Sequence, residues 1–171
     1  MFHAFDNPGP NRETTRAEWM ALLARAPVHL MEQVLEPYLP TRSIEWLRKP
    51  ETGLYMVQGR AGGTAERFNL GEVTVTRCAL RAVESDHLQA PVGVAYVLGR
   101  HHRQAELAAI ADALLQRPES RATLELELLI PIRQHLALQK AQRQAKTAST
   151  KVDFFTVARE AETGVNEEEE A

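Results

Sequence analysis

Cysteine is almost missing from this chain. Cys78 is the only one in 171 residues. That excludes an internal disulfide and any metal centre built from several thiolates. Long apolar runs are missing too, and no stretch approaches the ~18 residues a membrane span requires. The opening residues Met1 to Asp6 carry neither a basic n-region nor an apolar h-region, which points away from a signal peptide. A strong charge of one sign is also lacking. The formal charge is −3, and Glu167 to Glu170 supply four of the 23 acidic groups. Without them 20 basic groups stand against 19 acidic ones, a balance of +1. A folded part so close to neutral argues against a dedicated nucleic-acid binder. What is present is ordinary globular material, 44% apolar and 25% charged. The length suits one domain with its own core. These features suit a cytoplasmic protein.

The local patterns alternate between helix and strand signals. Residues 1–12, with Asn7-Pro8-Gly9-Pro10, read as a flexible arm. Thr15-Arg16-Ala17-Glu18 is a capping-box pattern, in which the Thr hydroxyl and the Glu carboxylate satisfy each other's free backbone N–H groups. Trp19, Leu22, Leu23 and Ala26 follow at helical spacing, so 15–26 reads as a helix with one buried stripe. Pro27 opens a second helix to about Leu35. Residues 43–49 and 54–61 alternate as strands around a turn at Pro50-Glu51-Thr52-Gly53. Glu72 to Val83 and Val92 to Leu98 read as two more strands, the second dense enough to be central. Leu107, Ile110, Ala111 and Leu114 predict a helix over 102–116, stopped by Pro118. Leu124 to Ile130 is ambiguous between Leu/Glu alternation and helix composition, and reads as a short extended or mixed element. Residues 132–147 read as a polar-faced helix. The expected fold is α+β: an antiparallel sheet of about four strands packed by N-terminal, central and C-terminal helices. One domain spans 13–158, and the acidic stretch 159–171 reads as a disordered tail.

The stretch richest in chemistry is Arg60-Ala61-Gly62-Gly63-Thr64-Ala65-Glu66-Arg67. Adjacent glycines let the chain turn tightly and aim successive N–H groups at one point, and Arg60, Thr64 and Arg67 add donors for an anion. The plain alternative is a bulged hairpin loop whose arginines face solvent. No Gly-Lys-Ser/Thr ending follows, so this is not a Walker loop. Thr76, Arg77 and Arg81 lie on a polar strand with its two basic residues four apart, suited either to a phosphate or to solvent. His102 and Glu106 are spaced i, i+4 without a third ligand nearby, so no metal is expected. Asp112 lies mid-helix, where it can pair with an arginine. Cys78 reads as a buried structural thiol rather than a nucleophile. No Ser/His/Asp or Cys/His arrangement is readable. Asp153, Phe154 and Phe155 belong to a short apolar element suited either to a partner contact or to completing this domain's own sheet.

Taken in order, several of these motifs resemble the PhnG family of phosphonate metabolism proteins. They are Arg16-Ala17-Glu18-Trp19-Met20, the segment Arg60 to Phe68, Gly71-Glu72-Val73-Thr74-Val75-Thr76-Arg77, Gly93 to Arg100, Ala105 to Leu114, and Val152 to Val157. Each is weak alone; together, over about residues 15–157, they are specific. Where the family loop usually has Gly-Gly-Thr-Gly-Glu-Arg-Phe, this chain has Ala65 in place of the fourth residue. The resemblance implies a non-catalytic or accessory subunit of the carbon–phosphorus lyase core complex, with PhnH, PhnI and PhnJ as partners. It implies no cofactor bound by this chain alone, and ATP or another purine nucleoside triphosphate as substrate of the complex. The step so implied joins a phosphonate to the ribose C1′ and displaces adenine. The nucleosidase residues are expected on PhnI and the iron–sulfur radical chemistry on PhnJ. The resemblance gives this chain no catalytic residue. Its candidates for phosphate binding or a subunit boundary are Arg60, Gly62, Gly63, Thr64, Glu66, Arg67, Thr76, Arg77 and Arg100. A pure structural adaptor with no ligand contact, or a stand-alone enzyme using Glu66, Asp112 and His101, are the rival readings.

Overall fold

In the computed structural model, residues 14–39, 43–83 and 90–150 are described. Thr15 caps α1 (Arg16–Leu23) with both halves of the capping box: its hydroxyl accepts from Glu18 N–H, and its own N–H donates to the Glu18 carboxylate at 2.7 Å. The capped residues hand Trp19, Leu22 and Leu23 to the core. Pro27 precedes α2 (Val28–Leu35), and a single 3₁₀ turn, Glu36–Tyr38, follows it. Three strands come next: β1 (Ser43–Arg60), β2 (Arg67–Val83) and β3 (Val92–Leu98). They form one antiparallel sheet in the order β1-β2-β3. The remaining elements are helical: α3 (His102–Leu115), α4 (Pro118–Leu124), a π turn (Glu125–Leu129) and α5 (Ile130–Ala148).

The fold is α+β as expected, and among the described residues the antiparallel sheet has three strands, close to the expected number of about four. The expected turn at Pro50 to Gly53 is part of a single 18-residue β1. Pairing with β2 slips between Trp46 and Arg48 and again between Arg48 and Glu51, so Pro50 sits in an irregular stretch of an edge strand. There its missing N–H breaks no ladder. The Leu124 to Ile130 segment is helical, not extended. Leu124, Leu128, Leu129 and Ile132 turn inward while Leu126 is 66% exposed, a helical spacing beneath the Leu/Glu alternation. Pro131 explains the π turn: it has no N–H to give the carbonyl one turn back, and widening the ladder absorbs the defect without ending the helix.

The core is built around α3. Ten of its residues are buried, from Ala105 to Leu115, most of them alanine or leucine. Its small side chains let the inner face of the sheet (Cys78, Leu80, Ala95, Val97) approach from one side. Leu22, Met31, Leu35, Leu124 and Leu128 close over the other. Asp112 sits within this interior with no exposed side-chain surface. It accepts from Arg16 at 2.7 and 3.1 Å, from the Trp19 indole N–H at 2.8 Å and from the Val94 backbone N–H at 2.9 Å. One carboxylate therefore joins α1, α3 and the edge of β3 that faces away from β2. Arg16 and the Gln116 amide also donate to Val92 O, at 3.1 and 2.9 Å, which blunts that edge against strangers. The 1–12 arm, the 159–171 tail and Asp153, Phe154 and Phe155 lie outside the described residues.

Candidate functional site

β3 pairs with β2 only from Val75 to Arg81. Beyond that point β1 and β2 continue as a two-stranded ribbon to the closing pair Arg60 and Arg67. At about 3.4 Å per residue this arm extends roughly 24 Å past the three-stranded part. Its side chains alternate between two open faces. Tyr55 lies on the face shared with Tyr96, their rings 6.5 Å apart edge-to-face, and Leu54 and Met56 lie on the other. Leu54 is 67%, Leu70 63% and Leu98 69% exposed. A bulge at Leu70 and Gly71, where Gly71 takes φ +144, redirects the last turn of the ribbon. Phe68 and Leu70 then fold over Gly59, and a Cβ there would meet their side chains at 3.0–3.2 Å.

At the tip, Ala61 N–H donates to Glu66 O and Ala65 N–H donates to Ala61 O, both at 2.9 Å. The hairpin reading of this loop holds, with its arginines exposed. The role assigned to the glycines does not. Gly62 and Gly63 have ordinary backbone angles and open space around them, and the left-handed residue is Ala65, at φ 58. The tight turn falls at that residue because the ladder must be re-entered at Arg67. Ala carries a left-handed strain of about 1–2 kcal/mol. Replacing it with Gly returns about 0.4–1 kcal/mol through the freer unfolded chain. Ala65→Gly is thus expected to stabilise the protein by about 0.5–1 kcal/mol, read as a rise of about 1–4 °C in thermal midpoint. A fall in the midpoint would show that the loop does not hold this conformation.

Arg60 and Arg67 face each other directly across the ribbon. Like charges in that position repel, and among the described residues neither forms an ion pair. Thr64 Oγ1 accepts from Glu66 N–H at 3.4 Å, so part of the polar complement serves the loop itself. Two guanidinium groups therefore stand side by side at the exposed tip of the ribbon, next to Thr64 and Glu66.

The other expected site residues lie elsewhere. Thr76 is buried, its hydroxyl donating to Gly99 O at 2.7 Å and accepting from His101 N–H at 3.0 Å. It holds the β3–α3 connection, aided by Thr52 and through it His102 Nε2. Arg77 is on the opposite face of β2 and donates to Glu51 at 2.8 Å. Arg48 and Arg77 together hold the Glu51 carboxyl below its usual range. Arg100 is exposed beside the turn that Thr76 fixes. Thr76 and Arg77 are roughly 30 Å of strand away from the tip. The structure thus gathers Arg60, Gly62, Gly63, Thr64, Glu66 and Arg67 and separates Thr76, Arg77 and Arg100 from them. Glu106 binds Arg103 rather than sharing a ligand with His102. Among the described residues no three His, Cys, Asp or Glu side chains converge as for a metal. Burial, with the nearby Glu106 charge, pushes the Cys78 thiol up to about 12, and it donates to Ala105 O at 3.1 Å. Such a thiol is no nucleophile at neutral pH.

The comparisons with known proteins agree on one family. The model for "Phosphonate metabolism protein PhnG" matches residues 14–160. The alpha-D-ribose 1-methylphosphonate 5-triphosphate synthase subunit PhnG of Rhizobium meliloti (strain 1021) is 38% identical over 144 residues, which cover 84% of this chain and 88% of that protein.

Proposed function

The chain belongs to the PhnG family of phosphonate metabolism proteins, and from that premise we propose that it is an accessory subunit of a ribose 1-methylphosphonate 5-triphosphate synthase. In this reading the complex forms a bond from a phosphonate oxygen to C1′ of a purine nucleoside triphosphate and breaks the bond from C1′ to the base, which leaves as adenine when the nucleotide is ATP. The partners are PhnH, PhnI and PhnJ, the complex works in the cytoplasm, and this chain contributes surface and charge rather than a reacting group. The distribution of acid and base candidates supports that division. Glu66 is at the arm tip, Asp112 is in the core, and His101 is at the start of α3. No single substrate could meet all three.

The observation that carries the reading is the arm itself. A two-stranded ribbon is marginal in water on its own. This one exposes Leu54, Tyr55, Met56, Phe68 and Leu70 with no helix of the described chain across them. Such apolar surface suits burial against a partner. The arm's length would carry Arg60 and Arg67 to a subunit boundary or to the triphosphate. Asp153, Phe154 and Phe155 would add a second contact.

Leu54→Ser combined with Leu70→Ser tests the arm, since both side chains are largely exposed and their loss leaves the core intact. Recovery of this chain with tagged PhnI, in the presence of PhnH and PhnJ, is expected to fall about tenfold or more. Circular dichroism of the free chain is expected to be unchanged. Arg60→Gln with Arg67→Gln is expected to leave assembly intact and to slow ribose-phosphonate formation about tenfold. Undiminished assembly of the leucine variant would remove the reading. An unchanged rate in the arginine variant would reduce the chain to a structural adaptor.

A further inference from the structure

A groove of about 920 Å³ opens between α5, the end of β3 and the start of α3. Its floor includes Val97, Leu98 and Leu136, and its rim carries Arg25, Lys140 and Arg143. No carboxylate is among the described residues that line it. Several cations on the body are matched to acids: Arg16 with Asp112, Arg81 with Glu45, Arg103 with Glu32, Arg133 with Glu125. Lys140 and Arg143 at the groove are not. They lie three residues apart on one face of α5, where like charges repel. Among the described residues neither has an acidic partner. Gln139, one turn back, accepts from the Arg143 guanidinium at 2.8 Å and holds it along the groove. The facing wall is fixed as well, since the Gln104 amide donates to Ala24 O at 3.1 Å and Ala26 O at 3.0 Å.

An ammonium and a guanidinium fork above an apolar floor select a compact, multiply charged oxyanion joined to an apolar group. The volume is that of a small-molecule site, within the ~300–1,000 Å³ common for them. We propose that this groove binds a small molecule carrying a phosphate-type oxyanion, independently of the arm. The arm tip lies roughly 24 Å of ribbon beyond Leu98, so the two sites cannot share one small ligand.

Inorganic triphosphate titrated calorimetrically into the full chain is the probe. Binding is expected at a Kd of about 1 mM or tighter. In a chain already carrying Arg60→Gln and Arg67→Gln, so that the arm tip adds no binding, Lys140→Gln with Arg143→Gln is expected to weaken it about tenfold or more. Both α5 side chains are exposed, so circular dichroism should report an intact fold in that variant. Three results would overturn the proposal. One is no binding at millimolar triphosphate. Another is full displacement by sulfate at matched ionic strength. The third is an α5 variant that keeps triphosphate binding but loses its partner subunits, which would make the groove a docking face for an acidic protein segment.

Discussion

Asp112→Ala is expected to remove about 3–5 kcal/mol of stability, the penalty for breaking a buried ion pair on one side. The local geometry explains the size. The substitution strands the Trp19 indole N–H and the Val94 backbone N–H in the interior, each worth about 1–3 kcal/mol when unsatisfied. Arg16 is 46% exposed and can turn to water, so its loss adds less. Against a typical total of about 5–15 kcal/mol, the loss consumes a large share. It corresponds to a drop of about 6–20 °C in thermal midpoint. Trp19→Phe removes one donor and leaves a gap where the second ring of the indole lay, so its loss should be about 2–3 kcal/mol. Urea unfolding followed by circular dichroism measures both. A loss below about 1 kcal/mol for Asp112→Ala would mean that α1 and the β3 edge do not depend on this carboxylate.

That anchor was half legible in the sequence. A lone Asp amid Leu107, Ile110, Ala111 and Leu114 calls for a cation, and the reading asked for an arginine. Which arginine was not readable, because Arg16 lies 96 residues away and is brought near by packing alone. The capping box at Thr15 and the α3 and β3 spans were legible for the opposite reason: they depend on residues within one or two turns or on a plain apolar run. Pro50 and Pro131 misled in the same way. Each looks like a terminator, but a long β2 partner carries β1 past the first, and a widened helical ladder carries the chain past the second.

The site shows a similar division. The loop at Gly62 and Gly63 was readable as a hairpin tip flanked by arginines. Its alignment of Arg60 opposite Arg67 follows only once the register is known. Thr76 and Arg77 looked like neighbours of that loop because they share a strand with it. The length of β2 separates them, and the alternation of the strand turns them to opposite faces. The arm was not legible at all. Nothing in the composition of residues 54–74 says that β3 stops short and leaves them unpaired on both faces. The two α5 cations were read as an ordinary polar face, since the opposing wall comes from β3 and α3.

Gly93→Ala should approach the loss of Asp112 in its effect. A Cβ at Gly93 would lie 1.9 Å from the Ala109 carbonyl oxygen and 2.9 Å from both its carbonyl carbon and the Ala113 Cβ. The first of these is backbone inside a buried helix, so no rotamer change relieves it. β3 would have to lift from α3 by roughly 1.5 Å to restore ordinary contact. Val94 N–H is the next residue along and donates to Asp112 at 2.9 Å. Lifting the strand stretches that bond as well. Overpacking alone costs about 1–3 kcal/mol, and the strained hydrogen bond about 1 kcal/mol or more besides. The expected total is therefore about 2–4 kcal/mol, the upper end reaching the range that marks specific structural failures. Gly53→Ala is the matched control: it lies in the same sheet, with nothing within 4 Å of the added carbon. Its effect should stay within about 0.5 kcal/mol. Equal stability of the two variants in urea would show that β3 does not sit against α3 at Gly93, and the layered core described above would have to be redrawn.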